Sequence, residues 1–338
     1  MLTEPTTFAV EDIGCPVCTS TDHERARMRV PRDRLAGELG LQQGRSSWVV
    51  CRQCGMVFQS PRPRQDVVDA LYAEGGYHRD RGGVPEHYVQ YSLRRSVPAL
   101  NWYSTIVDTA PGHAFDVGCG VGGALVHLRS HGWQVSGVEP DPELSEVARS
   151  RFDLDVTTGY FGEGQASEDV DLVYSCHVWE HLQDPNRVAA ASFEALRKRA
   201  GHLFIVVPTF RNSRTNAWKC FNASHTLMFT HVSLSNVLRS AGFEIVTHRY
   251  ASDADTELWL IARAGAHGPQ VEIVQESTTL VQREIMTAPL KAPLGIPARL
   301  VKHYRTATDD PRDFIARVWR ALRTRIHSIV RRGEPSNH

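Results

Sequence analysis

No run of apolar residues in this 338-residue chain approaches the ~20 needed to cross a bilayer, so no transmembrane span is expected. Neither sign of charge is in surplus: Lys+Arg and Asp+Glu are both 38, a formal net charge of zero. That balance argues against a general polyanion binder and leaves room only for a local basic patch. The opening MLTEPTTFAVED lacks a charged region followed by an apolar one. No secretory signal is therefore expected, and the reading is cytoplasmic. An even set of cysteines is missing too: there are seven. In a reducing compartment, paired cysteines point to a metal before they point to disulfides. What remains is 41% hydrophobic and 22% charged residues, enough for a sizeable core. The length predicts about two domains.

Four of the cysteines form two pairs, Cys15-Pro-Val-Cys18 and Cys51-Arg-Gln-Cys54, while Cys119, Cys176 and Cys220 are isolated. Each C-x-x-C lets successive backbone amides turn around one ion and presents two thiolates in tetrahedral geometry. Gly55 suits the sharp turn after the second pair. Residues 1–62 are thus predicted to be a zinc ribbon with Cys15, Cys18, Cys51 and Cys54 as ligands. So small a module cannot build its own core, and zinc would supply folding energy of ~10 kcal/mol or more.

Residues 63–109 carry helical patterns, RQDVVDALYAE and HYVQYSLRRSVPALNWYSTIV, separated by the loop GGYHRDRGG. They read as a helical linker whose tyrosines, Tyr72, Tyr77, Tyr88 and Tyr91, either pack or form a lid. Over 110–265 short β-branched runs alternate with helices: HAFDVG, WQVSGVEP, DLDVTTG, DLVYSCHV and HLFIVVP. This rhythm predicts an α/β fold, a Rossmann-like doubly wound sheet. FEIVTHRY and TELWLIARA then predict a terminal antiparallel hairpin. Residues 266–338 read as a C-terminal helical extension. Its basic amphipathic helix, PRDFIARVWRALRTRIHSIVRR, would dock on its own domain, on a second copy in a homodimer or another partner, or on an anionic membrane.

The strongest chemical motif is AFDVGCGVGG, where a strand ends in a glycine-rich turn that opens a helix. Gly118, Gly120 and Gly123 satisfy G-x-G-x-x-G. Glu139 follows about 20 residues on, where a carboxylate can take both ribose hydroxyls. Those features suit either NAD or S-adenosylmethionine, and Asp116 chooses between them. A carboxylate at that strand end repels a pyrophosphate but favours an ammonium and a sulfonium in a site that excludes water.

These motifs, in this order, resemble the class I S-adenosylmethionine-dependent methyltransferases over roughly residues 101–264. FDVGCGVGG is similar to the family's first cofactor motif, VSGVEPD to its ribose-binding second strand, and DLVYSCHVWEHLQDP to its fourth-strand segment. GHLFIVVP resembles the fifth strand, and HTLMFTHVSLSNVLRSAGFEIV the final helix leading into the sixth. The resemblance implies that Gly118, Gly120 and Gly122 line the methionine part of the cofactor, with Cys119 among them. It implies that Glu139, beside Pro140, binds the ribose, that Tyr160 meets the adenine, and that Cys176 and His177 flank the transferred methyl. The third-strand turn, TGYFGE, departs from the common pattern, in which an acidic residue often follows the glycine. CPVC…CRQCGMVFQSPRPRQDVVDALY resembles the zinc-binding segment ahead of some bacterial methyltransferases acting on small metabolites, including nucleotide-linked sugars.

If the acceptor is a hydroxyl or an acidic carbon, a base must take its proton, and histidine suits neutral pH. His177, His181 and His225 are the candidate catalytic residues, in loops expected at the C-terminal edge of the sheet. His177-Val-Trp-Glu-His181 also spells H-x-x-E-H, an inverted zinc-peptidase motif. That chemistry needs the motif on a long helix, whereas here it follows a strand, so the protease reading is set aside. The expected function is S-adenosylmethionine-dependent methyl transfer to a small polar metabolite, such as a nucleotide-linked sugar or a natural-product intermediate. The alternatives are a zinc-ribbon RNA methyltransferase, which zero net charge disfavours, and a non-catalytic cofactor-binding scaffold.

Overall fold

Five short strands open the chain: β1 (Val10–Glu11), β2 (His23–Arg25), β3 (Trp48–Cys51), β4 (Val57–Gln59) and β5 (Arg62–Pro63). Three helices follow, α1 (Gln65–Ala73), α2 (Glu86–Arg95) and α3 (Val97–Ile106). Then strands and helices alternate: β6 (His113–Val117), α4 (Gly123–Ser130), β7 (Gln134–Glu139), α5 (Pro142–Phe152), β8 (Asp155–Thr158), β9 (Leu172–Cys176), α6 (Pro185–Arg197) and β10 (His202–Pro208). The last elements are β11 (Leu227–Met228), α7 (His231–Ser240), β12 (Phe243–Ala251), β13 (Glu257–Ala264) and α8 (Thr278–Thr287). This computed structural model describes residues 10–28, 30, 32, 36–37, 45–73, 83–162, 169–211, 220–251, 257–266 and 272–287. All of them belong to one unit, Met1–Lys291. The basic amphipathic helix expected at 311–332 and most of the GGYHRDRGG loop lie outside the described residues.

The main sheet has seven strands in the order β12-β13-β10-β9-β6-β7-β8. From β10 to β8 all pairs are parallel. β13 runs antiparallel to both β10 and β12, which is the terminal hairpin. The apolar run Leu203–Pro208 is buried throughout, as a central strand covered on both faces requires. Helix starts are set locally. Asp141 caps α5 through the amides of Glu143 and Leu144, and Asp184 caps α6 through those of Asn186 and Arg187. In each case proline follows at the first helical position, where its missing N–H costs nothing. This is the doubly wound α/β architecture, with the strand order turning on either side of β6. Ligands of such sheets lie outside the carboxyl ends of the strands at that reversal.

A second sheet joins the N-terminal strands to the core. Its order is β11-β4-β3-β2, so a strand from the core completes the ribbon's sheet. Leu227 pairs with Phe58 and Met228 with Val57. One cluster then packs Trp48, Val50 and Val57 of the ribbon on Phe221 and Met228 and on Val281 and Ile285 of α8. Gln282 adds hydrogen bonds to Glu24, the Arg25 carbonyl and the Arg27 amide. Contacts therefore cross the boundaries expected at 62 and 265. A ribbon this small has too little apolar surface to stand alone, and both neighbours supply what it lacks.

Candidate active site

The turn between β6 and α4 is held on β7: the Gly118 and Cys119 amides both donate to the Val138 carbonyl. The Gly120 amide and the Asp141 amide donate to the two oxygens of Glu139, at 2.7 and 2.9 Å. Above this turn lies a cavity of about 520 Å³. Asp116, Gly118, Cys119, Gly120, Glu139 and Pro140 form one end, and His177, His181 and His225 the other. A roof comes from α2, whose Tyr88, Tyr91, Ser92 and Arg95 share one helical face. That helix sits close because Gly123 has no side chain: a Cβ there would lie 2.2 Å from the Ser92 carbonyl oxygen. A second cavity, about 390 Å³, shares Gly118, Pro140, Val178 and His181 and is lined by Gly159, Tyr160 and Phe161.

At the histidine side, His177 follows β9 in a left-handed conformation, φ 58°, which a residue with a side chain rarely adopts. Its Nε2 faces Glu257 at 3.0 Å and its Nδ1 faces Glu180 at 3.3 Å, while Arg95 also meets Nε2. Burial opposes the charge on His177, but Glu180 and then Glu257 more than offset it and hold its pKa above the ordinary value. A ring whose charged form two carboxylates favour is a poor proton acceptor. Glu180, 1% exposed, stays ionised: burial pushes its carboxyl up, but His177 and then His181 and His225 draw it down to about 2. His225 is the opposite case, since burial and then His181 lower it to about 4, so its ring is neutral. The structure brings all three histidines expected as catalytic to one cavity, and among them burial leaves the His225 ring neutral.

Residues 86–248 match the family model described as "Methyltransferase domain". Over these residues the chain is similar to a methyltransferase domain. The chain is 27% identical to an uncharacterized methyltransferase of Bacillus thuringiensis (strain Al Hakam) over 101 residues, 29% of this chain and 48% of that protein. It is 21% identical to an uncharacterized methyltransferase of Alkaliphilus oremlandii (strain OhILAs) over 127 residues, 37% of this chain and 59% of that protein. The match thus spans about half the length of these curated relatives. Among solved structures, the S-adenosylmethionine-dependent methyltransferase from Mesorhizobium loti is 18% identical, covering 50% of this chain and 97% of that one, with a TM-score of 0.40.

The methyltransferase domain suits S-adenosylmethionine on its own geometry. Asp116 is buried, and burial followed by the charge of Glu139 raises its pKa well above the ordinary value. Burial likewise raises Glu139 to about 7. Two carboxylates that strain against ionising in one cavity are balanced by a cationic, hydroxyl-bearing ligand. Gly120 leaves the floor open, since a Cβ there would meet only the Tyr88 hydroxyl, at 3.6 Å. If Glu139 takes both ribose hydroxyls, as the sequence leads one to expect, it must be ionised to accept from them. The sign follows: below about pH 7 binding has to expel a proton, so affinity falls as pH falls, by up to about tenfold per unit. Calorimetric titration with S-adenosylmethionine between about pH 6 and 8 checks this. A flat profile would remove Glu139 as the titrating group.

Among the other expected cofactor residues, Cys119 and Cys176 line the cavity. Burial raises Cys119 well above the usual thiol range and Cys176 to about 11, so neither is a nucleophile at neutral pH. Tyr160 lies in the second cavity only. Gly122 lines neither cavity. It takes a left-handed φ of 82° at the start of α4, and a Cβ there would lie 2.2 Å from Leu154 Cδ1, so packing alone requires glycine at this position. Sequence reasoning passed over Glu180, Arg95 and Glu257. The first stood inside a motif set aside, the second shares α2 spacing with Tyr88, and Glu257 reaches the site only through its pairing with Pro208.

The four paired cysteines meet. Cys15 Sγ lies 3.5 Å from Cys54 Sγ, and Cys18 Sγ 3.5 Å from Cys51 Sγ. All four sulfurs fall within 4.8 Å of one another. Tetrahedral ligands ~2.3 Å from zinc stand ~3.8 Å apart, so the cluster fits a zinc ribbon. Among the described residues no helix is long and apolar enough to cross a membrane.

Proposed function

We propose that this protein is a class I S-adenosylmethionine-dependent methyltransferase acting on a small polar acceptor, with a structural zinc ion on Cys15, Cys18, Cys51 and Cys54. One observation carries the reading: a single cavity holds the Asp116–Glu139 carboxylate pair at one end and a histidine cluster at the other. When bound, S-adenosylmethionine supplies a methyl group on a sulfonium. Asp116 and Glu139 would hold the cationic and ribose parts, and the second cavity, with Tyr160, would take the adenine. The protein's work is then mainly placement, since methyl transfer needs an in-line nucleophile and little covalent help. The histidine end would orient the acceptor, and a neutral His225 ring can accept a hydrogen bond from it.

A zinc ribbon could instead face RNA. The sheet's edge at β4 is taken by Leu227–Met228 and its other side by α8, which supports an internal, positioning role. His225→Ala is expected to lower turnover at least ~tenfold while leaving S-adenosylmethionine affinity unchanged. Release of S-adenosylhomocysteine across a metabolite panel, beside calorimetry, reads both quantities. Unchanged turnover would take His225 out of the reaction.

A further inference from the structure

The second cavity is lined partly from outside the methyltransferase-like stretch, residues 86–248. Gln65, Val68 and Asp69 of α1 all reach it, and their i, i+3, i+4 spacing puts them on one face of that helix. Val68, Val138 and Leu182 give it apolar walls for the faces of a base, and polar side chains are left to read the rim. Among the described residues, two carboxylates line it, Asp69 and Asp184. Asp184 is committed: its Oδ1 takes the Asn186 and Arg187 amides that start α6. Asp69 is half-buried, and its Oδ1 accepts from Gln65 Nε2 at 2.7 Å. A carboxylate only accepts, so the nitrogen of the Gln65 amide is the atom that faces it. That nitrogen carries a second hydrogen, and Asp69 has lone pairs on its other oxygen. One turn of α1 thus presents an acceptor beside a donor. The rim of adenine carries the complementary pair, a 6-amino donor next to a ring nitrogen that accepts.

We propose that Asp69, with Gln65 beside it, reads the adenine base of the cofactor, so that base specificity comes from the helix joining the ribbon to the core. This role rests on the S-adenosylmethionine reading, with the second cavity as the adenine site. Asp69 accepts from the 6-amino group, and the Gln65 amide donates to the neighbouring ring nitrogen. A 6-oxo base fails the match: its oxygen faces the carboxylate, and two acceptors left facing each other oppose binding. The start of α1 is held on the core. Arg62 Nη1 donates to the Gln183 carbonyl at 2.7 Å, and Gln183 Nε2 to the Pro63 carbonyl at 3.4 Å, just before the helix begins. Gln183 itself lines the cavity, so the helix start is tied to the cavity wall and not only to the ribbon.

The test titrates the full-length protein by calorimetry with S-adenosylhomocysteine and with its 6-oxo counterpart, S-inosylhomocysteine. The wild type should prefer the adenine ligand by at least about tenfold, the effect of one hydrogen bond to a charged group. Asp69→Ala should weaken the adenine ligand about tenfold and leave the 6-oxo ligand within about threefold, closing most of the gap. Asp69→Asn keeps the shape and can turn an amide donor toward the 6-oxo oxygen, so it too should narrow the preference. Retained affinity for the 6-oxo ligand reports that each variant is folded. Should Asp69→Ala lose both ligands, Asp69→Asn decides. A preference unchanged in the variants overturns the role of Asp69 and leaves cofactor binding in place. So does a wild type that binds both ligands equally. A wild type that binds neither ligand brings down the S-adenosylmethionine reading, and this role with it.

Discussion

Cys51→Ser is expected to abolish most methyl transfer, by about 100-fold or more, although Cys51 is not part of the cavity. The reason lies in how the ribbon meets the core. Zinc binding to so small a module contributes ~10 kcal/mol or more to its folding, and a three-cysteine site keeps little of that. The ribbon's β4 pairs with Leu227–Met228, immediately after His225. Gln59, wholly buried on the same strand, donates to the carbonyls of Asn222, Ala223 and His225. When the ribbon loosens, the loop that carries His225 loses its frame. A misplacement of ~1 Å is enough to cost two orders of magnitude in a reaction run by positioning. The cofactor end should be spared, because Asp116 and Glu139 stand on β6 and β7, in a sheet separate from the ribbon's. Turnover and S-adenosylmethionine affinity measured on the same preparation separate the two ends. Full turnover in a zinc-free Cys51→Ser protein would end the idea that the ribbon positions the site.

Glu139→Ala should weaken S-adenosylmethionine by about 100-fold while leaving turnover at saturating cofactor within a few-fold. Hydrogen bonds to a charged acceptor are worth roughly 1.5–3 kcal/mol each. Two ribose hydroxyls lost together, counted at the low end, cost about 3 kcal/mol, or two orders of magnitude in affinity. The substitution also leaves the Gly120 and Asp141 amides without their acceptor. Glu139→Gln separates these effects, because it keeps an oxygen for one amide but loses the charge. Its affinity should fall between wild type and alanine and should lose the pH dependence expected for Glu139. Equal affinity in all three proteins would place the ribose elsewhere.

Much of the cofactor end was legible because its parts are close in the chain. Asp116, Gly118, Gly120 and Glu139 belong to one strand–turn–helix–strand unit, and local geometry brings such units together in one way. Gly122 shows the limit of that legibility. The motif places it in the turn, but the packing that demands a glycine there comes from Leu154, 32 residues further on. The histidines were legible as residue types, and His177 was expected to share the role of base. Only its two carboxylate neighbours, Glu180 and Glu257, show why the charged form of its ring is favoured. Glu257 comes from a strand whose register no local signal records.

The two C-x-x-C pairs, the alternation of strand and helix, the glycine turn and the Asp-Pro helix starts were determined by the sequence itself. Each depends on residues within a few turns of one another, where backbone geometry and hydrogen-bonding needs leave little choice. Tertiary structure decided the rest. It made Leu227–Met228 the fourth strand of the ribbon sheet, laid α8 across that sheet, and brought His225 to Glu180, 45 residues earlier. Those contacts follow from which apolar faces and unpaired strand edges are left over once the local elements exist. No short window of sequence contains that information.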